Sequence, residues 1–392
     1  MTAEQRYFLQ VVSDYVCGNA SAVPPDDVQL LKLAEIAAAQ SMGGIVYAQC
    51  KDFLPRDDEA YFAFERHFTA SVFRYVTSGE TYAVLKSAFD DAGIEMLPFK
   101  GLELAKYHRV PQLRTMGDID LLIRPDDRKK AHKLLLSLGC ECLETGDAVW
   151  KYKRDVVKIE VHEHMIYEKL GSDFDYQTYF DGAWDTAKDG SLDPNVQFLF
   201  LAAHTAKHML NCGSGFRPLL DMMFMAKSGE LDRQYICAEL EKIGLLKFVK
   251  TAFALCKRLF GVEPPFECGD ISESFCEEAT EKLFSDGIFG FDNRSNRGAY
   301  MAKDMKRKEK LGFFAALVVM LCKLFPKENT MSNKKAYSFL FRHKLLRPIA
   351  WIYRIFYCIA TKFSDSMKLL FYPFTKRKEI EKRQKFMQNW GL

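Results

Sequence analysis

The chain has 392 residues, 48% of them hydrophobic and 27% charged, the make-up of an ordered globular protein, which excludes a largely disordered one. Its 55 basic and 52 acidic residues leave a formal charge of +3, too near balance to mark a nucleic-acid binder by overall charge. The 11 cysteines include no CxxC pair and no zinc-finger spacing, so they read as thiols kept in a reducing compartment.

Met1 to Arg6 have neither the basic start nor the apolar stretch of a secretory leader, and a cytoplasmic location is expected. Apolar positions recur at spacings of three and four in Leu30, Leu31, Leu33, Ala34 and Ile36, and again from Tyr61 to Phe89. They predict a helical N-terminal region over residues 1–92, with Pro24-Pro25-Asp26-Asp27 as a helix start.

The pattern changes at Gly93. Ile94 to Phe99 reads as a short strand, Lys100-Gly101 as a turn, Leu102 to Tyr107 as a helix, and Ile119 to Ile123 as an apolar strand entered through Asp118. Pro125-Asp126-Asp127 opens a helix running to about Leu138, and Ala148 to Tyr152 and Val156 to Val161 are further strands. Strands mixed with helices predict an α+β core over 93–190.

Helix signals return at Val196–Leu210, Arg217–Lys227, Tyr235–Ile243, Leu246–Phe260 and Glu273–Phe284, giving a helical binding domain over 191–290. A C-terminal helical region with a basic tail is expected over 291–392, and residues 288–310 read as a linker. Its longest uncharged apolar run, Leu311 to Cys322, is shorter than the roughly 18 to 20 residues that cross a bilayer. Leu345 to Ala360, with Lys376-Arg377-Lys378 beyond it, reads first as a packed helix and second as a weak membrane-surface segment.

Chemistry concentrates in the strand candidates. Asp118 and Asp120 alternate with Ile119 and Leu121, so both carboxylates leave a strand from one face. Such a pair supplies hard oxygen ligands for Mg²⁺, or Mn²⁺, with phosphate oxygens completing the sphere. Lys100 and Gly101, between a strand and a helix, place a cation and backbone N–H groups where a triphosphate fits. Glu160 stands in an apolar β-branched strand as a candidate third acid, with His162 on the same face. His204, Lys207, His208 and Asn211 share a helix face suited to phosphate contacts, against an equal reading as structural hydrogen bonding, and Arg217 and Asp221 are spaced as a helix ion pair.

Together, Phe99-Lys100-Gly101-Leu102, Arg114 to Ile123, Glu160-Val161-His162, His204 to His208, Arg217, Asp221 and Trp351 to Arg354 resemble the bacterial uncharacterised nucleotidyltransferases of the DNA polymerase beta-like superfamily. The resemblance spans roughly residues 20 to 360. It implies a small mixed sheet flanked by N- and C-terminal helical domains, with Asp118, Asp120 and Glu160 as catalytic and metal-binding acids and Lys100, Gly101, Arg114, Lys207, His204 and His208 at the nucleotide. It also implies transfer of a nucleoside monophosphate from an NTP to an acceptor that the sequence does not name. Two positions depart from the pattern: Leu102, where Gly or Ser is usual, and Glu163, where an aromatic is usual. A DxD-type glycosyltransferase and a catalytically inactive nucleotide-binding or regulatory module are the rival readings.

Overall fold

The computed structural model describes residues 1–145, 148–167, 170, 174–288, 317, 320–322, 324–326, 343–357, 371 and 374–392. Two compact units emerge, Met1–Met209 with Gly213–Phe291 and Gly391, and Leu210–Cys212 with Asp292–Trp390 and Leu392. The linker read at 288–310 lies almost wholly outside the described residues.

The first unit opens with α1 (Ala3–Cys17), α2 (Leu30–Ala39), α3 (Gly43–Cys50) and α4 (Glu59–Asp91). The expected helix start at Pro24–Asp27 is a turn, and α2 begins only at Leu30. α4 has 33 residues, about 50 Å at 1.5 Å per residue; its first turn is closed by the Asp58 carboxylate accepting from the Ala60 N–H at 2.7 Å.

The sheet follows: β1 (Met96–Phe99), α5 (Gly101–Ala105), β2 (Ile119–Ile123), α6 (Arg128–Ser137), β3 (Glu141–Glu144), β4 (Val149–Arg154) and β5 (Val157–His162). Strand order is β1-β2-β5-β4-β3. β2 pairs in parallel with β5 and antiparallel with β1, and β4 pairs antiparallel with β5 and β3. The sheet is therefore mixed and the fold α+β, as expected.

Period-two alternation divides β2 and β5 between two faces. Ile119, Leu121, Ile123, Val157, Ile159 and Val161 join Leu85 and Phe89 of α4 and Ala131 and Leu135 of α6 in one buried cluster. Each of the larger of these side chains contributes roughly 1.5–3 kcal/mol on burial, and that holds the register. The opposite face carries Asp120, Glu160 and His162. All five β2 residues are buried, so Asp120 sits on an inner strand and needs polar partners to stay ionised.

Beyond the sheet come α7 (Tyr176–Asp181), α8 (Ala183–Thr186), α9 (Pro194–Asn211), α10 (Phe216–Lys227), α11 (Arg233–Lys242), α12 (Leu246–Phe260) and α13 (Glu273–Asp286). In the second unit the described residues include helical residues 347–357, where Trp351 Nε1 donates to the Pro326 carbonyl at 3.0 Å, and the helix Arg377–Trp390. Among the described residues no helix is long and apolar enough to cross a membrane, and every cysteine is a free thiol.

Candidate active site

Parallel pairing of β2 with β5 sets Asp120 directly beside Glu160, and Leu122 beside His162. Antiparallel pairing on the other edge sets Phe99 beside Asp120. Lys100, the next residue, turns back so that its Nζ lies 2.6 Å from Asp120 Oδ1. The turn relies on Lys100 itself, at φ 61° and ψ −122°, a conformation that favours glycine and is found where surrounding structure enforces it. Of the expected Lys100-Gly101 turn, Lys100 takes the turning conformation and Gly101 already begins α5.

His162 Nε2 lies 3.0 Å from Asp120 Oδ1 and 3.6 Å from Glu160 Oε2. An ionised carboxylate only accepts, so Nε2 carries the hydrogen. The buried Nδ1 has no hydrogen-bond partner. The Phe99 ring meets the imidazole edge-on at 5.0 Å and Phe200 of α9 at 5.2 Å, forming an aromatic wall behind the polar cluster.

The charges divide along the strands. Burial would raise the Asp120 carboxyl, but Lys100 and His162 outweigh it and hold the group below its ordinary value. His162 likewise holds Glu160 low. Asp118 goes the other way, raised by partial burial and then by the negative charges of Glu160 and Asp120. That coupling puts Asp118 in the field of the same acids. Ligand atoms of Asp120, Glu160 and His162 all lie within 4.8 Å of one another, the one such cluster among the described residues; Asp118 stands outside that group. Two carboxylates and an imidazole suit a divalent cation.

His204 of α9 lies in the field of this cluster and is in contact with His208. His204 Nε2 and His208 Nε2 are 3.0 Å apart, and His204 is pushed well below its ordinary value by burial, then by the charges of Lys100, His208, Lys207 and His162. Asn211, read as sharing this face, falls in the second unit.

Arg114 is placed differently from an open phosphate ligand. Its Nε and Nη2 donate to Asp221 Oδ1 and Oδ2, each at 2.9 Å, and its Nη1 reaches the Gly101 carbonyl at 3.3 Å. His108 Nε2 adds a 2.7 Å contact to Asp221. Asp221 is therefore engaged by residues of the loop before β2, and not by Arg217 one turn away, which donates through Nη1 to the Thr115 carbonyl at 3.1 Å. Ser71 Oγ meets Thr115 Oγ1 at 3.0 Å and Arg74 Nη1 reaches the Met116 carbonyl at 3.5 Å. Three helices thus hold the segment that delivers Asp118 and Asp120.

Sequence reading did not foresee the Asp221–Arg114–His108 network, Ser71 or Arg74, because polar contacts between residues 42 to 113 positions apart leave no local pattern. Glu163, the departure from the expected aromatic, pairs with Arg128 at 2.5 Å, and Arg128 lies 4.3 Å over the Trp150 ring. The carboxylate anchors a stacked cation in that place.

A sequence model of a family described as uncharacterised nucleotidyltransferase matches residues 26–261, which takes in α2 to α12, the whole sheet and every residue of the cluster. No functionally curated protein matches the chain, and no solved structure does.

Proposed function

Because this chain belongs to the uncharacterised nucleotidyltransferase family, we propose that it transfers a nucleoside monophosphate from an NTP to an acceptor nucleophile with release of pyrophosphate, using Asp118, Asp120 and Glu160. The observation that carries this reading is the side-by-side pairing of Asp120 and Glu160 on parallel strands, with Asp118 coupled to both. Mg²⁺ or Mn²⁺ held by these acids would neutralise phosphate charge and lower the acceptor's pKa.

The remaining roles belong to the chain's own groups. Lys100, ion-paired with Asp120, steadies the triphosphate. Gly101 presents backbone beside it, and Arg114 acts through the Gly101 carbonyl, fixing that backbone. His204, held neutral, with His208 and Lys207 on the same helix, contributes hydrogen bonds to phosphate oxygens. Glu160, held ionised by His162, takes the proton as the acceptor oxygen forms its bond to the α-phosphorus and the bond to pyrophosphate breaks.

The test is transfer of label from α-labelled NTP in the presence of Mg²⁺. Asp118→Asn and Asp120→Asn should each abolish it, and near-normal turnover in either variant would refute the assignment. Calorimetry with Mg²⁺ and each NTP separates the rivals: no metal-dependent nucleotide affinity leaves a binding or regulatory module, and turnover of a UDP-sugar in place of an NTP points to glycosyl transfer.

A further inference from the structure

A cavity of about 220 Å³ is lined by Ala38, Ser41, Gly43, His67, Ala70, Ser71, Arg74 and Thr115, the last in the segment that leads into β2. Its walls come from α4, from the junction of α2 and α3, and from the loop that runs into β2. Its lining holds one fixed cation, one imidazole, three hydroxyls and no carboxylate. In a protein with nearly equal numbers of acids and bases, such a lining selects for negative charge.

The donors are in place. Arg74 uses Nη1 on the Met116 carbonyl, and a guanidinium has five N–H donors in all. Ser71 and Thr115 bond to each other, and each hydroxyl keeps further capacity. Gly43 opens α3, and its N-cap residue, Met42, makes no side-chain cap bond. Glycine is required there, because a Cβ would lie 2.7 Å from His67 Cβ. That close approach brings the start of α3 against the cavity.

Size and position narrow the ligand. The volume is below the roughly 300–1,000 Å³ of pockets that enclose whole small molecules, so it receives a group and not an entire nucleotide. Thr115 is three residues before Asp118, which limits their Cα separation to about 11 Å. A ligand anchored at Thr115 therefore has at most a chain of about ten atoms to span to reach Asp118.

We propose that this cavity is an oxyanion site and that the oxyanion belongs to the acceptor: the second substrate carries a phosphate-sized anionic group, held by Arg74, Ser41, Ser71 and Thr115, while its nucleophile reaches the β2 acids. The acceptor part of this inference rests on the nucleotidyl-transfer reading; the anion site does not.

The test is calorimetric titration of the full-length protein with inorganic phosphate, alone and with Mg²⁺ and a saturating α,β-methylene NTP analogue. Arg74→Gln is expected to weaken phosphate binding about tenfold or more, the loss of one charge-assisted contact. Ala70→Glu, on an exposed helical position of the lining, should abolish it. Phosphate affinity should persist with the analogue bound. Absence of phosphate binding, or equal affinity in both variants and the parent, overturns the anion site. Displacement of phosphate by the analogue assigns the cavity to the triphosphate and overturns the acceptor assignment. Should the analogue itself fail to bind, the nucleotide reading falls with its acceptor corollary, while the phosphate titration still decides the cavity.

Discussion

Asp221 accepts both arms of the Arg114 guanidinium, each at 2.9 Å, across 107 positions of sequence. Both groups are buried. Asp221→Asn leaves the guanidinium without its counter-charge and is expected to cost about 3–5 kcal/mol, read from urea unfolding midpoints. The pair also sets a pH limit. Burial alone would raise the Asp221 carboxyl, but Arg114 and His108 hold it well below its ordinary 3.8. A depressed carboxyl contributes stability in full above its unfolded value, and that stability is lost as pH falls toward the lower folded value. The parent should lose stability as pH drops below about 3.8 through this group, and Asp221→Asn should lack that component.

Asp118 should titrate out of order. It is raised by burial and by Glu160 and Asp120, while Asp120 and Glu160 are themselves held low. As pH falls in the metal-free protein, Asp118 takes its proton before Asp120, although the two share an ordinary value of 3.8. Glu160→Gln removes one of the two neighbouring anions and should bring the Asp118 midpoint down. Carboxyl-carbon NMR of the two proteins checks this, and an unmoved Asp118 would separate the two acids.

Lys100 can be split into backbone and side chain. At φ 61° any residue with a Cβ is strained by roughly 1–3 kcal/mol. Lys100→Ala and Lys100→Gly both delete the ion pair with Asp120, yet only glycine relieves the backbone. The glycine variant should be more stable than the alanine variant by about 1 kcal/mol or more in thermal unfolding, with both impaired in nucleotide binding.

Gly43→Ala tests the contact of α3 with α4. The added methyl would overlap His67, and prying two packed helices apart costs typically 1–3 kcal/mol. Circular dichroism melts of the variant should show that loss, and the loss should be smaller in a His67→Gly background, where the clashing Cβ is gone.

Much of this architecture is legible in the amino-acid order. Ile119–Ile123 was expected as a strand and is β2 to the residue, and Leu246–Phe260 is α12, because unbroken apolar runs and sustained periodicity are strong local signals. β3 was not foreseen: all four of its residues are exposed, so this edge strand has no apolar alternation to announce it. Helices α7 and α8 were passed over because four- and six-residue helices carry too few turns for periodicity. Within the site, the acids stood out as charges in apolar strands. The mate of Arg114 did not, because Asp221 looked complete with Arg217 one turn away.

Since side chains alternate along a strand, β5 can slide past β2 only in steps of two residues, about 6.6 Å, if Glu160 is to stay on the polar face. Such a step would trade Glu160 for Lys158 or His162 opposite Asp120, reversing or erasing the local charge. The gap between the two carboxyls therefore has no gradual adjustment through the backbone. Its fine setting falls to side-chain length, and the extra methylene of a glutamate facing an aspartate is the dimension on which natural variation at this site would be expected to act.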